Sequence, residues 1–107
     1  MARPFFTYIL LCSDKSYYVG HTDDLERRLA QHETGATGGY TATRRPIVLV
    51  WVEEFPTREE AKTAEAQLKK WSRRKKEALI AGHIEELRMA ARKDWVSYRQ
   101  RLPRYGS

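Results

Sequence analysis

A chain of 107 residues has room for one modest hydrophobic core and not for a second. With 41% hydrophobic and 32% charged residues it falls among globular chains, and its longest apolar run, Ile47 to Val52, is far too short to span a bilayer. A formal net charge of +6 points to a polyanionic partner. A membrane surface is disfavoured, because the basic residues do not lie opposite a Trp/Phe/Leu face on one long helix.

The chain opens Met-Ala-Arg-Pro-Phe-Phe, without the apolar stretch or cleavage pattern of a signal peptide, so the expected compartment is cytoplasmic. Phe5 to Cys12 is largely aromatic and aliphatic, the pattern of a strand buried on both faces. Cys12, the sole cysteine, has no partner for a disulfide or a zinc site and reads as a buried thiol. His21, His32 and His83 are too scattered for a zinc cluster. After a turn at Ser13 to Ser16, Tyr17 to Gly20 resumes as a second strand, which makes a hairpin.

Thr22 or Asp23 can cap a helix from near Asp24 to about Glu33, with Leu25 and Leu29 as its buried pair. Thr34 to Gly39 ends it and opens a loop. Ile47 to Val52 is the clearest strand. Thr57 and Glu60 form a capping box for a second helix, whose apolar stripe is Ala61, Ala64, Leu68 and Trp71. Ser72 can cap a further helix through Ile80. Gly82 interrupts, and Ile84, Leu87 and Ala91 mark a last helical segment before an Arg- and Tyr-rich tail from Trp95. The order β-β-α-β-α-α predicts one small α/β (α+β) domain over 1–107, a three-stranded, mainly antiparallel sheet flanked by helices.

Two tyrosines, Tyr8 and Tyr18, sit on the hairpin strands. Arg28 and His32 are four apart and share one helix face. Glu65 flanks the apolar stripe of the second helix, and Glu60 flanks it on the other side; periodicity does not choose between them. A hydroxyl, a fixed cation, an imidazole and a carboxylate are the parts that phosphodiester hydrolysis needs. Each also has a plainer reading as strand packing or solvated helix surface.

Thr7-Tyr8-Ile9-Leu10, Tyr17-Tyr18-Val19-Gly20 and Asp24-Leu25-Glu26-Arg27-Arg28-Leu29 with His32 together resemble the GIY-YIG nuclease signature. The likeness is closest to short bacterial members made of this domain alone, which are similar to the N-terminal domain of the excision-repair nuclease subunit. It continues through Tyr40-Thr41, Arg44-Arg45-Pro46 and Ala61 to Lys70, covering about 5–80 and leaving 81–107 as a C-terminal extension. Tyr8 falls ten positions before Tyr18, and Arg28 eight after Gly20.

The resemblance implies the GIY-YIG nuclease fold and a role for each matching residue. Tyr8 would be the general base for the attacking water. Tyr18 would line the site and orient water or phosphate. Gly20 would let the chain pass close to the substrate, Arg28 would grip the phosphate, and His32 would assist one turn later. Glu65 would hold one Mg²⁺ or Mn²⁺ ion, with water and phosphate completing the shell. Some positions depart from the family pattern: Phe6-Thr7-Tyr8 stands for Gly-Ile-Tyr, His21 where repair-type members carry Lys, and Ala42 where many short members have a basic residue. The chain has no Asn, while homing-type members use a late one.

For nucleic-acid contact the expected residues are His21 beside the site, Tyr40, Arg44 and Arg45 in the loop, and Lys69, Lys70, Arg73 and Arg74 along the densest basic run. Single-stranded or branched DNA suits this mixture of aromatic and basic residues, and RNA stays open. The rival readings are a nucleic-acid-binding module that does not cut and a partner domain in a repair complex.

Overall fold

In β1 (Phe5–Leu11) four consecutive residues, Thr7 to Leu10, are buried, which requires cover on both faces and neighbours on both edges. The computed structural model, which describes residues 3–91 (from 84 onward as backbone only), shows both. β1 is the central strand of a sheet of order β2-β1-β3, antiparallel to β2 (Tyr17–Thr22) and to β3 (Val48–Phe55). The register with β2 sets Tyr8 opposite Gly20 and Leu10 opposite Tyr18. Along β3 it slips between Ile9 and Leu10, so Val50 is the extra residue of a bulge.

Strand alternation sorts the core into two halves. Tyr8, Leu10 and Cys12 face one way, where Tyr18, Leu25 and Leu29 pack on them; α1 (Leu25–Thr34) covers this face. Ile9, Val19 and Trp51 face the other way, against Leu68 of α3 (Arg58–Lys70) and Ile80 of α4 (Arg73–Ala91). Fully burying an aliphatic side chain of this kind contributes about 2 kcal/mol. Thr7, also on the second face, donates its hydroxyl to the Ala61 carbonyl at 2.8 Å, tying β1 to α3.

Several boundaries differ from the expectations. The α1 cap is Asp24, whose carboxylate accepts from the Arg27 N–H at 3.1 Å; Thr22 instead accepts from the Asp24 N–H and shapes the turn before it. The helix ends at Gly35, whose φ of 80° closes the αL cap. The following loop contains a four-residue turn of helix, α2 (Gly39–Ala42). β3 continues past Val52 to Phe55, because Glu53 to Phe55 pair with Thr7 to Phe5; the charged residues hid the continuation.

Thr57 caps α3 as expected, accepting from the Glu60 N–H. Trp71 is the C-cap residue and half-buried, so it packs on the core from the helix end and does not continue the stripe. Ser72 caps α4, which passes unbroken through Gly82. An interior glycine costs a helix about 1 kcal/mol relative to alanine but keeps its hydrogen bond, so good helix formers on either side carry the helix across. The side chains of Ile84, Leu87 and Ala91 and the tail from Trp95 lie outside the described residues. Among the described residues no helix is long and apolar enough to cross a membrane.

Candidate active site

The edge strand β2 divides the site into two halves. On the α1 face, Tyr8 has no exposed surface. Its phenol lies over Gly20: a Cβ at that position would come within 2.5 Å of the Tyr8 Oη and 2.7 Å of its Cζ. The close approach that Gly20 permits is therefore that of Tyr8.

One turn apart on α1, Arg28 and His32 reach the same hydroxyl. His32 Nε2 lies 3.0 Å from Tyr8 Oη, and Arg28 also hydrogen-bonds to Tyr8. The other ring nitrogen of His32 lies 2.7 Å from the hydroxyl of Thr41 on α2. Tyr18 packs edge-on against His32 at 5.2 Å between centroids and is tilted against Tyr8 at 6.5 Å.

Burial, reinforced by Tyr18, pushes the Tyr8 phenol up to about 12, against the charge and hydrogen bond of Arg28; the charge of Glu65 adds to the rise. Burial, then the Arg28 charge, lowers His32. Both groups are therefore neutral at pH 7. An NMR titration should place the His32 midpoint below 6.5, the value of an unperturbed imidazole. Because the unfolded chain takes the proton first, this group's contribution to stability is lost as pH falls from 6.5 through the folded midpoint. A midpoint above 6.5 would place a carboxylate beside the ring and sink this reading.

On the α3 face the carboxylate of Glu65 accepts from His21 Nδ1 at Oε1 and from Lys69 Nζ at Oε2, both at 2.7 Å. Since a carboxylate only accepts, His21 carries its hydrogen on Nδ1. Burial would raise Glu65, but the hydrogen bonds from Lys69 and His21 outweigh it and hold the group low. The same contact raises Lys69. Glu60 is exposed in the first turn of α3, so of the two glutamates that the helical pattern left open it is Glu65 that stands beside the site. An ionised, half-buried carboxylate next to the tyrosine pair fits one hard divalent cation whose remaining ligands are water and phosphate oxygens.

The other expected contacts separate into groups. Tyr40 is 41% exposed and stacks on Tyr18 at 6.1 Å. The Arg44 guanidinium lies 3.8 Å from the Tyr40 ring centre, pairs with Asp14 and donates to the Tyr40 carbonyl. Arg45 donates to the carbonyls of Ala42 and Glu33, clamping the end of α1 to α2. Both arginines thus use donors to hold the loop. In the basic run, Lys69 belongs to the site and Lys70 and Arg74 are exposed. Arg73 packs over Tyr17 at 4.5 Å, donates to the Lys15 carbonyl and pairs with Glu77, on the sheet face away from Tyr18. Reasoning from sequence missed Thr41 as a site residue. A buried threonine in a glycine-rich loop has no periodic signal, and only its place beside Tyr40 in the matching segment marked it.

Residues 4–78 match the family described as the GIY-YIG catalytic domain. A UPF0213 protein of Listeria innocua is 47% identical over 85 residues, 79% of this chain and 94% of its own length. UPF0213 protein YazA of Bacillus subtilis is 44% identical over 75 residues, 70% of this chain and 76% of its own. The solution NMR structure of an E. faecalis protein superposes with a TM-score of 0.53 at 42% identity, covering 76% of this chain and 88% of that one.

Proposed function

The chain belongs to the GIY-YIG catalytic-domain family, and from that premise we propose that it is a divalent-metal-dependent endonuclease, built as a single nuclease domain, that hydrolyses a phosphodiester in single-stranded or branched DNA. The observation that carries this reading is the Tyr8 hydroxyl held between His32 and Arg28, with the ionised Glu65 close enough to act on it.

Tyr8 acts as the phenolate: its own proton is first lost to solvent, and the phenolate oxygen then takes the proton of the attacking water. Arg28 has two tasks: its charge draws the phenol toward ionisation, and it neutralises charge that develops on the phosphate. Tyr18, the half-buried member of the pair, meets the substrate first and orients water or phosphate. Glu65 holds the Mg²⁺ or Mn²⁺, which when bound would stabilise the leaving oxygen and cancel the negative charge that raises Tyr8. His21 orients the Glu65 carboxylate. Tyr40 offers an exposed ring to an unstacked base, while Arg44 and Arg45 present it, and Lys70 and Arg74 extend a basic track for the backbone.

One pair of observations favours the second reading, a binding module that does not cut: Tyr8 is wholly enclosed, and both Glu65 oxygens are engaged. A cleavage assay decides between them. Labelled single-stranded, duplex and branched DNA, with an RNA of the same sequence, would be incubated with Mg²⁺, Mn²⁺ or EDTA. We expect metal-dependent cutting by the wild type. Tyr8→Phe should slow it by about 10² or more, as loss of a proton-transfer group does, with substrate affinity kept. Binding without cutting under every condition would establish the silent module.

A further inference from the structure

The carboxylate proposed to hold the metal, Glu65, has both oxygens engaged, and its two donors differ in kind. His21 stands on β2 with its side chain 23% exposed and meets Oε1 through a flat ring. Lys69 lies one turn after Glu65 on α3, its side chain is 55% exposed, and its ammonium is 2.7 Å from Oε2. We infer that Lys69 is an internal counter-ion standing in for the metal: it holds Oε2 until a divalent cation takes its place at that oxygen. The inference rests on the reading of Glu65 as the metal ligand.

Charge and distance carry the argument. A Mg²⁺ ion bound ~2.1 Å from Oε2 would stand within about 5 Å of an ammonium that kept its contact with the same oxygen. Like charges at that separation repel, and a site whose carboxylate is only 19% exposed screens them less than water does. The ammonium is the group free to leave. It sits on a flexible four-carbon stem with its head near solvent, and water hydrates it strongly. A half-exposed ion pair is also cheap to break. The Nδ1–H of His21 serves Oε1 and can stay, keeping the carboxylate turned into the site.

The exchange reconciles a fully engaged carboxylate with a metal site. Oε2 faces a cation in both states, so the half-buried Glu65 is never left as an unpaired charge. The Lys69 charge also reaches Tyr18. An ammonium released there becomes a donor for a phosphate oxygen.

Mn²⁺ binding to the full chain, followed by electron paramagnetic resonance without nucleic acid, tests the exchange. Lys69→Met keeps most of the stem and removes the charge. It should bind Mn²⁺ about 5- to 10-fold more tightly than the wild type, as removal of a partly screened charge from beside a divalent ion implies. Lys69→Arg, which keeps the charge, should stay close to the wild type. So should Lys62→Met, which removes an exposed charge about two turns earlier on α3 and controls for net charge. In the ¹⁵N-labelled wild type, relaxation of the Lys69 ammonium should show it more mobile once Mg²⁺ is added, while the His21 Nδ1–H signal persists. Weaker binding in Glu65→Ala with no gain in Lys69→Met overturns this inference alone, as does a Lys69 ammonium indifferent to Mg²⁺. Unchanged binding in Glu65→Ala overturns the metal assignment and this inference together. If Lys69→Met fails to fold, Lys69→Gln and the wild-type relaxation decide. Exchange in a chain that never cuts would overturn the nuclease reading and leave this one standing.

Discussion

Glu65→Ala is expected to lower metal-dependent cutting by about 10³-fold or more while the fold and substrate binding survive. A bound cation contributes several kcal/mol of transition-state stabilisation, and each 1.36 kcal/mol is about a factor of ten in rate. The Glu65 carboxylate is held ionised, and its negative charge reaches Tyr8. Its loss is mild for the fold. Lys69 is 55% exposed and can turn to solvent, and the His21 side chain is 23% exposed, so the cost in stability is about 1 kcal/mol or less. Glu65→Gln refines the test, because an amide oxygen can still accept from His21 or Lys69 but brings no charge. Mn²⁺ binding followed by electron paramagnetic resonance should weaken in both variants, independently of any cutting. Wild-type rates in Glu65→Ala would place the metal ligand elsewhere.

Gly20→Ala is expected to disable the site from the opposite direction, through packing. The added methyl would stand 2.5 Å from Tyr8 Oη, 2.7 Å from Cζ and 3.2 Å from Tyr18 Cε2. Tyr8 is enclosed on every side, so relief requires either bending β2 or expelling the phenol from its contact with His32. Overpacking of this kind costs about 1–3 kcal/mol. For a domain of this size, 2 kcal/mol is a fall of roughly 10 °C in the midpoint of thermal unfolding. Cutting should drop at least as far as in Tyr8→Phe, about 10²-fold, since the hydroxyl is displaced as well as perturbed. An unchanged melting midpoint with wild-type cutting would mean that the phenol swings clear, and the tight Tyr8–Gly20 pairing would lose its role.

Much of this architecture is legible in the residues. Phe5 to Cys12 reads as a doubly covered strand because it is aromatic and aliphatic on both faces but for Thr7, and β1 is indeed the middle of the sheet. Thr57 and Glu60 announce the start of α3, and Ala61, Ala64 and Leu68 its buried stripe. Where charge interrupts an apolar run the reading stops short, as at Glu53 and Glu54 in β3. Where glycine lies inside a helix it stops too early, as at Gly82. The site follows the same rule. Arg28 and His32 are legible as neighbours because helical spacing is local. The meeting of His21 with Glu65, 44 positions apart, depends on how α3 crosses the sheet. So does the choice of Glu65 over Glu60. Thr41 reaches His32 through a loop whose path no pattern of hydrophobicity describes.

The position of β2 limits how two copies of the chain can cooperate. Tyr18, Gly20 and His21 all lie on this strand, which is an outer strand of the sheet, so one row of its backbone N–H and C=O groups is unpaired by other strands. Such a row is a ready template for a strand from another molecule. Two chains joined there into one continuous sheet would lay a neighbour's strand alongside both halves of the candidate site and narrow the approach for a nucleic-acid strand. The opposite border, β3, carries none of these side chains and ends in Val48, which is 55% exposed. If two copies do act together on a duplex, the proposed nuclease reading expects them to join through β3 or through helices, leaving the β2 borders open to the nucleic acid.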